Sequence, residues 1–299
     1  MNIYITGGTG FIGSYIVREF ADGKNNVVVL ARNPDKVPAL CSLPGVTVKK
    51  ADMLDYDALE KSMTDMDALI HIALCWGDTG PEMILNETFS SVKIIDTAIK
   101  KGAKKIIFTS STAAQGGIER DTDETAKLKP NDFYGATKGS VELFLSAYSS
   151  YYPTIQINTI RPGYTFGNPV IPGAYVEGDR RFKTICTNAK YDKPIEVTKY
   201  DGTQFIHAAD LAKIYRSVIE SELKNEVFYG LGSKFTSWEQ IALWAVEFTG
   251  SKSEIKVTDK GWSPNPPFYM VKKIQKYFGF DFDSTEHLKE HVKYFISIL

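Results

Sequence analysis

The chain of 299 residues carries 35 Lys and Arg against 36 Asp and Glu, a formal charge of −1, and is 43% hydrophobic. That balance describes a globular protein of one large or two interlocked domains and argues against the basic face of a nucleic-acid binder. No stretch reaches the roughly eighteen apolar residues of a spanning helix, and the first residues read as a core strand rather than a charged leader, so a cytoplasmic protein without membrane contact is expected.

Ile3-Tyr4-Ile5 reads as a short buried strand, and it runs into Thr6-Gly7-Gly8-Thr9-Gly10-Phe11-Ile12-Gly13 ahead of a helix predicted over about 12–22. Strand, glycine turn and helix in that order form a nucleotide-binding device. Gly7 suits the tight turn, Gly10 lets the main chain approach a pyrophosphate, and Gly13 allows the helix to pack closely on the strand. The unpaired N–H groups of the helix start near Phe11 then face the phosphates.

Further strands are predicted at Val27–Leu30, Val46–Val48, Ala68–Ile72, Lys105–Phe108 and Ile155–Ile160, with helices between them at about 55–64, 81–101 and 132–150. Short apolar strands alternating with helices specify a doubly wound α/β fold, a Rossmann-type parallel sheet covered on both faces. Strand two ends in Leu30-Ala31-Arg32, without the carboxylate that would accept hydrogen bonds from an adenosine ribose. A guanidinium matches a 2′-phosphate, so NADP is the expected cofactor, with NAD as the alternative. The three cysteines, Cys41, Cys75 and Cys186, are odd in number and widely spaced, and are expected to be reduced. Asn86-Glu87-Thr88 fits a glycosylation triplet, which a chain that is not secreted does not use.

Strand five ends in Phe108-Thr109-Ser110-Ser111-Thr112, placing hydroxyls at the sheet edge that also carries the glycine turn. Tyr134-Gly135-Ala136-Thr137-Lys138 follows inside the next helix, with phenol and ammonium one turn apart on one face. A tyrosine of reference pKa ~10 is a poor proton carrier at neutral pH, and an adjacent fixed cation favours its ionised form.

Beyond Arg161-Pro162-Gly163 the rhythm loosens. A helix with Leu211, Ile214, Tyr215 and Val218 on one face is followed over 223–299 by short strands and amphipathic helices. Thr236-Ser237 ahead of Glu239-Gln240 is a capping box for a helix with Ile241, Leu243, Trp244 and Val246 on its apolar side. The organisation read from this is a dinucleotide-binding domain over 1–162 and about 187–222, with a smaller α/β substrate-binding region over about 163–186 and 223–299. His207 reads as an anchor for the helix that follows it, with Asp210 as a first-turn acid. His287-Leu288-Lys289-Glu290-His291 matches a zinc pattern, but no third ligand accompanies it and no metal is expected.

In order and spacing over the whole chain, the glycine turn, Asp52, His71-Ile72-Ala73, Phe108 to Ser111, Tyr134 to Lys138, and Arg161-Pro162-Gly163 with Phe166-Gly167 resemble the extended short-chain dehydrogenase/reductases, the NAD-dependent epimerase/dehydratase family. The resemblance implies Gly7, Gly10, Phe11 and Ile12 at the pyrophosphate, Asp52 with Met53 at adenine, Ile72-Ala73-Leu74 along the dinucleotide, and Pro162 beside it. It implies Ser111 as the catalytic hydroxyl, Tyr134 as general acid and base, and Lys138 as its activator and a ribose ligand. It places Cys75, Trp76, Ser111, Thr112 and Tyr164 near a small-molecule substrate, and implies a homodimer through the two long helices.

Departures from the family pattern narrow the chemistry. Dehydratases carry an acidic pair directly after the catalytic hydroxyl, where this chain has Thr112 and Ala113. The arginines that grip a nucleotide diphosphate are missing from Asp201–His207 and from Pro266–Met270, leaving Arg180, Arg181, Lys183 and Lys272-Lys273. The sequence therefore points to an NAD(P)-dependent reductase of a small carbonyl compound. The alternatives are a nucleotide-sugar epimerase with retained NAD and a non-catalytic NAD(P) sensor.

Overall fold

The computed structural model describes residues 1–174 and 180–299. In chain order the first half comprises β1 (Asn2–Thr6), α1 (Phe11–Phe20), β2 (Asn26–Ala31), β3 (Val46–Lys50), α2 (Tyr56–Ser62) and β4 (Ala68–His71). There follow α3 (Gly80–Met83), a π-helical turn over Ile84–Phe89, α4 (Ser90–Lys100), β5 (Lys105–Thr109), α5 (Phe133–Tyr151) and β6 (Gln156–Pro162). The second half contains β7 (Thr165–Phe166), α6 (Arg180–Lys190), β8 (Ile195–Thr198), β9 (Gly202–Thr203), β10 (Ile206–His207), α7 (Ala208–Glu220) and β11 (Val227–Gly230). It ends with β12 (Thr236–Ser237), α8 (Trp238–Thr249), β13 (Ile255–Thr258), α9 (Lys272–Phe278) and α10 (Thr285–Ile298).

Seven parallel strands form one sheet in the order β11-β6-β5-β4-β1-β2-β3. Alternation along each strand feeds two separate cores. Ile3, Ile5, Val27 and Val29 point to the face covered by α1 and α7, while Tyr4, Val28 and Leu30 point to the face covered by α2, α4 and α5. A strand buried on both faces has no polar side to show, which is why its sequence is an unbroken apolar run. The order in which successive strands are added reverses between β1 and β4, and the carboxyl ends of these two parallel strands border the cleft described below.

The third core, built on Phe182, Phe205, Trp238, Ile241, Leu288 and Phe295, lies in the C-terminal region. Here β8 pairs with β13 and β9 with β12, so chain from the stretch 187–222 contributes to this region rather than to the main sheet. Conversely β11, from the stretch read as substrate-binding, completes the main sheet beside β6. Leu211, Ile214, Tyr215 and Val218 of α7 are all buried, as the spacing required. Ser237 caps α8, accepting from the Gln240 N–H at 3.1 Å. On α8 itself Leu243 is exposed: Ile241, Ala242, Trp244 and Ala245 already define the buried face, and Leu243 lies off it. No helix among the described residues is long and apolar enough to cross a membrane.

Candidate active site

The loops at the carboxyl ends of β1 to β6 enclose a cleft of about 640 Å³. Its floor is the glycine turn. Gly7 has φ +73°, and a Cβ there would stand 2.6 Å from the Ala73 nitrogen, so the turn after β1 packs directly on the chain leaving β4. A Cβ on Gly13 would lie 2.0 Å from the Gly7 carbonyl oxygen, which holds α1 against the turn. α1 begins without a side-chain cap, leaving its first N–H groups for a ligand.

Every position expected to hold the dinucleotide lines this cleft: Gly7, Gly10, Phe11, Ile12, Arg32, Asp52, Met53, Ile72, Ala73, Leu74, Tyr134, Lys138 and Pro162. Arg32 and Asp52 reach it from the ends of neighbouring strands β2 and β3, with the Asp52 carboxylate oriented by the Leu54 N–H at 3.0 Å. The residues fit a dinucleotide because main chain, rather than side chain, meets the cleft where a pyrophosphate needs N–H donors.

Ser111 is brought beside α5 by close backbone approach. A Cβ at Gly135 would fall 2.2 Å from the Ala113 carbonyl oxygen, so the glycine after Tyr134 allows the helix to touch the turn after Ser111. Asp132 starts that helix, accepting from the Gly135 N–H at 2.7 Å. The Ser111 oxygen accepts from the Ala113 N–H at 3.1 Å, a bond that does not use the hydroxyl proton. Lys138 is buried, its ammonium 5.1 Å from the Phe108 ring centre and 5.8 Å from that of Tyr134.

Of the residues expected near a substrate, Cys75 and Ser111 line the cleft, and Trp76 stacks on Tyr134 with ring centres 6.3 Å apart. Thr112 and Tyr164 are not part of its lining. Tyr164 packs instead on Phe205 and Trp238, because the short pairing of β7 with β10 draws its segment into the C-terminal core. Burial and the nearby Asp52 and Glu87 carboxylates push the Cys75 thiol up, away from thiolate chemistry.

Two buried groups beneath the cleft had no role in the site assigned from sequence. His71 sits between Thr6 Oγ1, 2.6 Å from Nδ1, and Ser91 Oγ, 2.9 Å from Nε2. Thr6 Oγ1 already accepts from the Ile72 and Ala73 N–H groups, so its own proton goes to Nδ1 and the ring is neutral with hydrogen on Nε2. Desolvation, reinforced by the Lys138 charge, lowers the His71 pKa to about 3. Glu87 is fully buried and bonds Lys138 Nζ at 2.7 Å. Its signal in the sequence is a carboxylate in the same helical register as Met83, Ser91, Ile94 and Ala98, all buried.

The H-x-x-E-H pair is not assembled. His291 turns inward to Asn168 Oδ1 at 2.7 Å among Phe182 and Phe295, and burial lowers its pKa to about 4. His287 turns the other way and stacks on His207 at 4.3 Å. His207 does cap α7, through Nδ1 and the Ala209 N–H. The ligand atoms of His207, Asp210 and His287 lie within 4.8 Å of one another. The two rings stack with their planes 18° apart, and the Lys213 ammonium bonds one oxygen of the Asp210 carboxylate at 2.8 Å while the other lies 3.7 Å from His287 Nε2.

A doubly wound parallel sheet with a glycine turn and a Ser-Tyr-Lys set at its carboxyl edge defines a dinucleotide-dependent enzyme. Residues 3–229 match the family described as "NAD dependent epimerase/dehydratase family", and the chain belongs to it. It is 27% identical to UDP-glucose 4-epimerase of Yersinia enterocolitica over 274 residues, 78% of each chain. It is 26% identical to uronate dehydrogenase of Pseudomonas putida, covering 79% of this chain and 78% of that one. Cinnamoyl-CoA reductase 1 of Petunia hybrida is 31% identical over 46% of this chain and 44% of its own. Among solved structures, UDP-glucuronic acid 4-epimerase of Bacillus cereus in complex with NAD superposes with TM-score 0.83 at 19% identity, covering 100% of this chain and 99% of that one. The fold, the family and an NAD(P) cofactor are thereby established, and the relatives span both reductases and epimerases.

Proposed function

We propose that the protein reduces a small carbonyl compound with NADPH, using Ser111, Tyr134 and Lys138 as its catalytic set. The observation that carries this reading is their meeting along one cleft that Arg32 also lines. Bound there, the dinucleotide supplies or takes up a hydride at its nicotinamide ring. The Ser111 hydroxyl donates to the substrate oxygen and orients it. Tyr134 exchanges the proton with that oxygen, and the Lys138 ammonium lies one helical turn away, 5.8 Å from the centre of its ring. Trp76 is 60% exposed and stacks on Tyr134, beside the proposed proton donor.

A nucleotide-sugar epimerase that keeps NAD is the second reading, favoured by the full-length likeness to UDP-sugar epimerases. The phosphate-binding side chains weigh against it. Arg181 is paired with Asp201 and lies over the Trp238 ring at 4.2 Å, and Lys273 is paired with Glu226 at 2.5 Å.

We also propose a homodimer through α4 and α5. Ile84, Leu85 and Phe89 are exposed on the π-helical turn just ahead of α4, and Leu143, Phe144 and Tyr151 are exposed on α5, large apolar side chains that a covered face accounts for. The test of the catalytic reading is NADPH oxidation against a panel of small aldehydes and ketones. Turnover should fall about a hundredfold or more in Tyr134→Phe with dinucleotide binding retained. Stoichiometric NAD(H) held through purification, with no turnover of the panel, would favour the epimerase.

A further inference from the structure

The buried carboxylate of Glu87 has two partners, and both belong to the site. Oε1 accepts from the Lys138 ammonium at 2.7 Å, and Oε2 accepts from the Cys75 N–H at 2.9 Å. Both side chains are almost fully buried, 3% exposed for Lys138 and 0% for Glu87. Glu87 stands on the π-helical turn Ile84–Phe89, inserted between α3 and α4. Such turns widen a helix by one residue and re-aim the side chains on it, and they recur at functional sites.

We propose that Glu87 is a positioning residue for the Lys138–Tyr134 pair, fixing the ammonium and tempering its charge while tying the Cys75–Trp76 loop to the same point. The assignment rests on the reading of Tyr134 and Lys138 as the reacting pair. Lysine has four rotatable side-chain bonds, and an anionic acceptor at this depth selects the rotamer that holds its ammonium beside the Tyr134 ring. A carboxylate is the side chain suited to this position because both partners are donors. Glutamine would accept from one and present its own N–H groups to the other. With Glu87 in place the cation acts on the phenol as one end of a dipole rather than as a bare charge. Through Cys75 the same carboxylate anchors the loop whose next residue, Trp76, stacks on Tyr134.

The other ionisable groups around the lysine are accounted for. His71 on β4 is neutral, Tyr134 and Glu142 lie on its own helix with Glu142 engaged by Arg161, and Cys75 and Asp52 stand on the loops after β4 and β3. Glu87 is thus the ion paired directly with Lys138.

The test is a titration of Tyr134 itself, read as the ultraviolet tyrosinate difference between each protein and its Tyr134→Phe counterpart. Lys138 borders the cleft, so water can reach its ammonium when Glu87 is neutralised and the charge persists. Glu87→Gln should then lower the Tyr134 midpoint by about one pH unit, the scale of one close charge. Glu87→Asp, whose shorter side chain cannot span both donors, should lower it by less. It also serves as the deciding variant should the Gln form not fold. A folded Gln or Asp variant that titrates unchanged, or upward, would overturn the proposal. The readout needs neither substrate nor dinucleotide, so it stays separate from a failure of the wild type to bind or turn over NADPH, which would strike the catalytic reading instead.

Discussion

Acid should destabilise this protein through two buried histidines, and the effect can be worked from their surroundings. Burial lowers the pKa of His71 to about 3 and that of His291 to about 4, against 6.5 for the free side chain. Below pH 6.5 the unfolded chain therefore takes up protons that the native rings refuse, and stability falls as pH falls until the folded values are reached. Between pH 7 and pH 5 each ring contributes a loss of about 2 kcal/mol, and the two together about 4 kcal/mol, a large part of the 5–15 kcal/mol typical of a domain. Urea unfolding followed by circular dichroism at the two pH values measures it. His71→Gln and His291→Gln are each expected to start less stable at pH 7, since the first breaks contacts with Thr6 and Ser91 and the second leaves an aromatic pocket. Each should nevertheless shed about 2 kcal/mol of the pH 7 to pH 5 loss. If both variants kept the full wild-type pH dependence, the buried histidines would not be its source and the reasoning would be wrong.

Three further outcomes are expected. Arg161 and Glu142 form a buried two-pronged pair, with Nε to Oε1 at 2.9 Å and a second bond at 2.6 Å; Glu142→Ala should cost about 3 kcal/mol, while the double replacement Glu142→Leu with Arg161→Met should recover much of it in thermal melts. Gly7→Ala forces a Cβ onto the Ala73 backbone at a positive φ, so calorimetry should show dinucleotide binding lost; binding at wild-type strength would mean the turn is not the phosphate site. Phe144→Glu on α5 should convert a dimer to monomers in light scattering, and an unchanged dimer mass would place the interface elsewhere.

What the sequence made legible was local. The glycine turn, the hydroxyls at the end of β5 and the Tyr134–Lys138 spacing each sit on one element, so periodicity and backbone chemistry suffice to place them. Arg32 and Asp52 come from separate strands, the first read from the end of strand two and the second from the family resemblance, and both line one cleft. The resemblance places Tyr164 near the substrate, whereas its ring packs on Phe205 and Trp238 from distant parts of the chain, which no local pattern reveals. Glu87 was hidden for the same reason: its partner Lys138 is 51 residues away, and the only local reading of Asn86-Glu87-Thr88 was a modification triplet. The core-facing register of Glu87 was visible, but a charged residue in that register becomes informative only once its partner is known.

The most direct test of the account is a fluorescence titration of the purified protein with NADPH and with NADH, in the wild type and in Arg32→Ala. Reversible binding that favours NADPH, with the preference lost in Arg32→Ala, is the expected result. Equal or tighter binding of NADH that ignores the Arg32 substitution would contradict it and return the chain to an NAD-retaining epimerase.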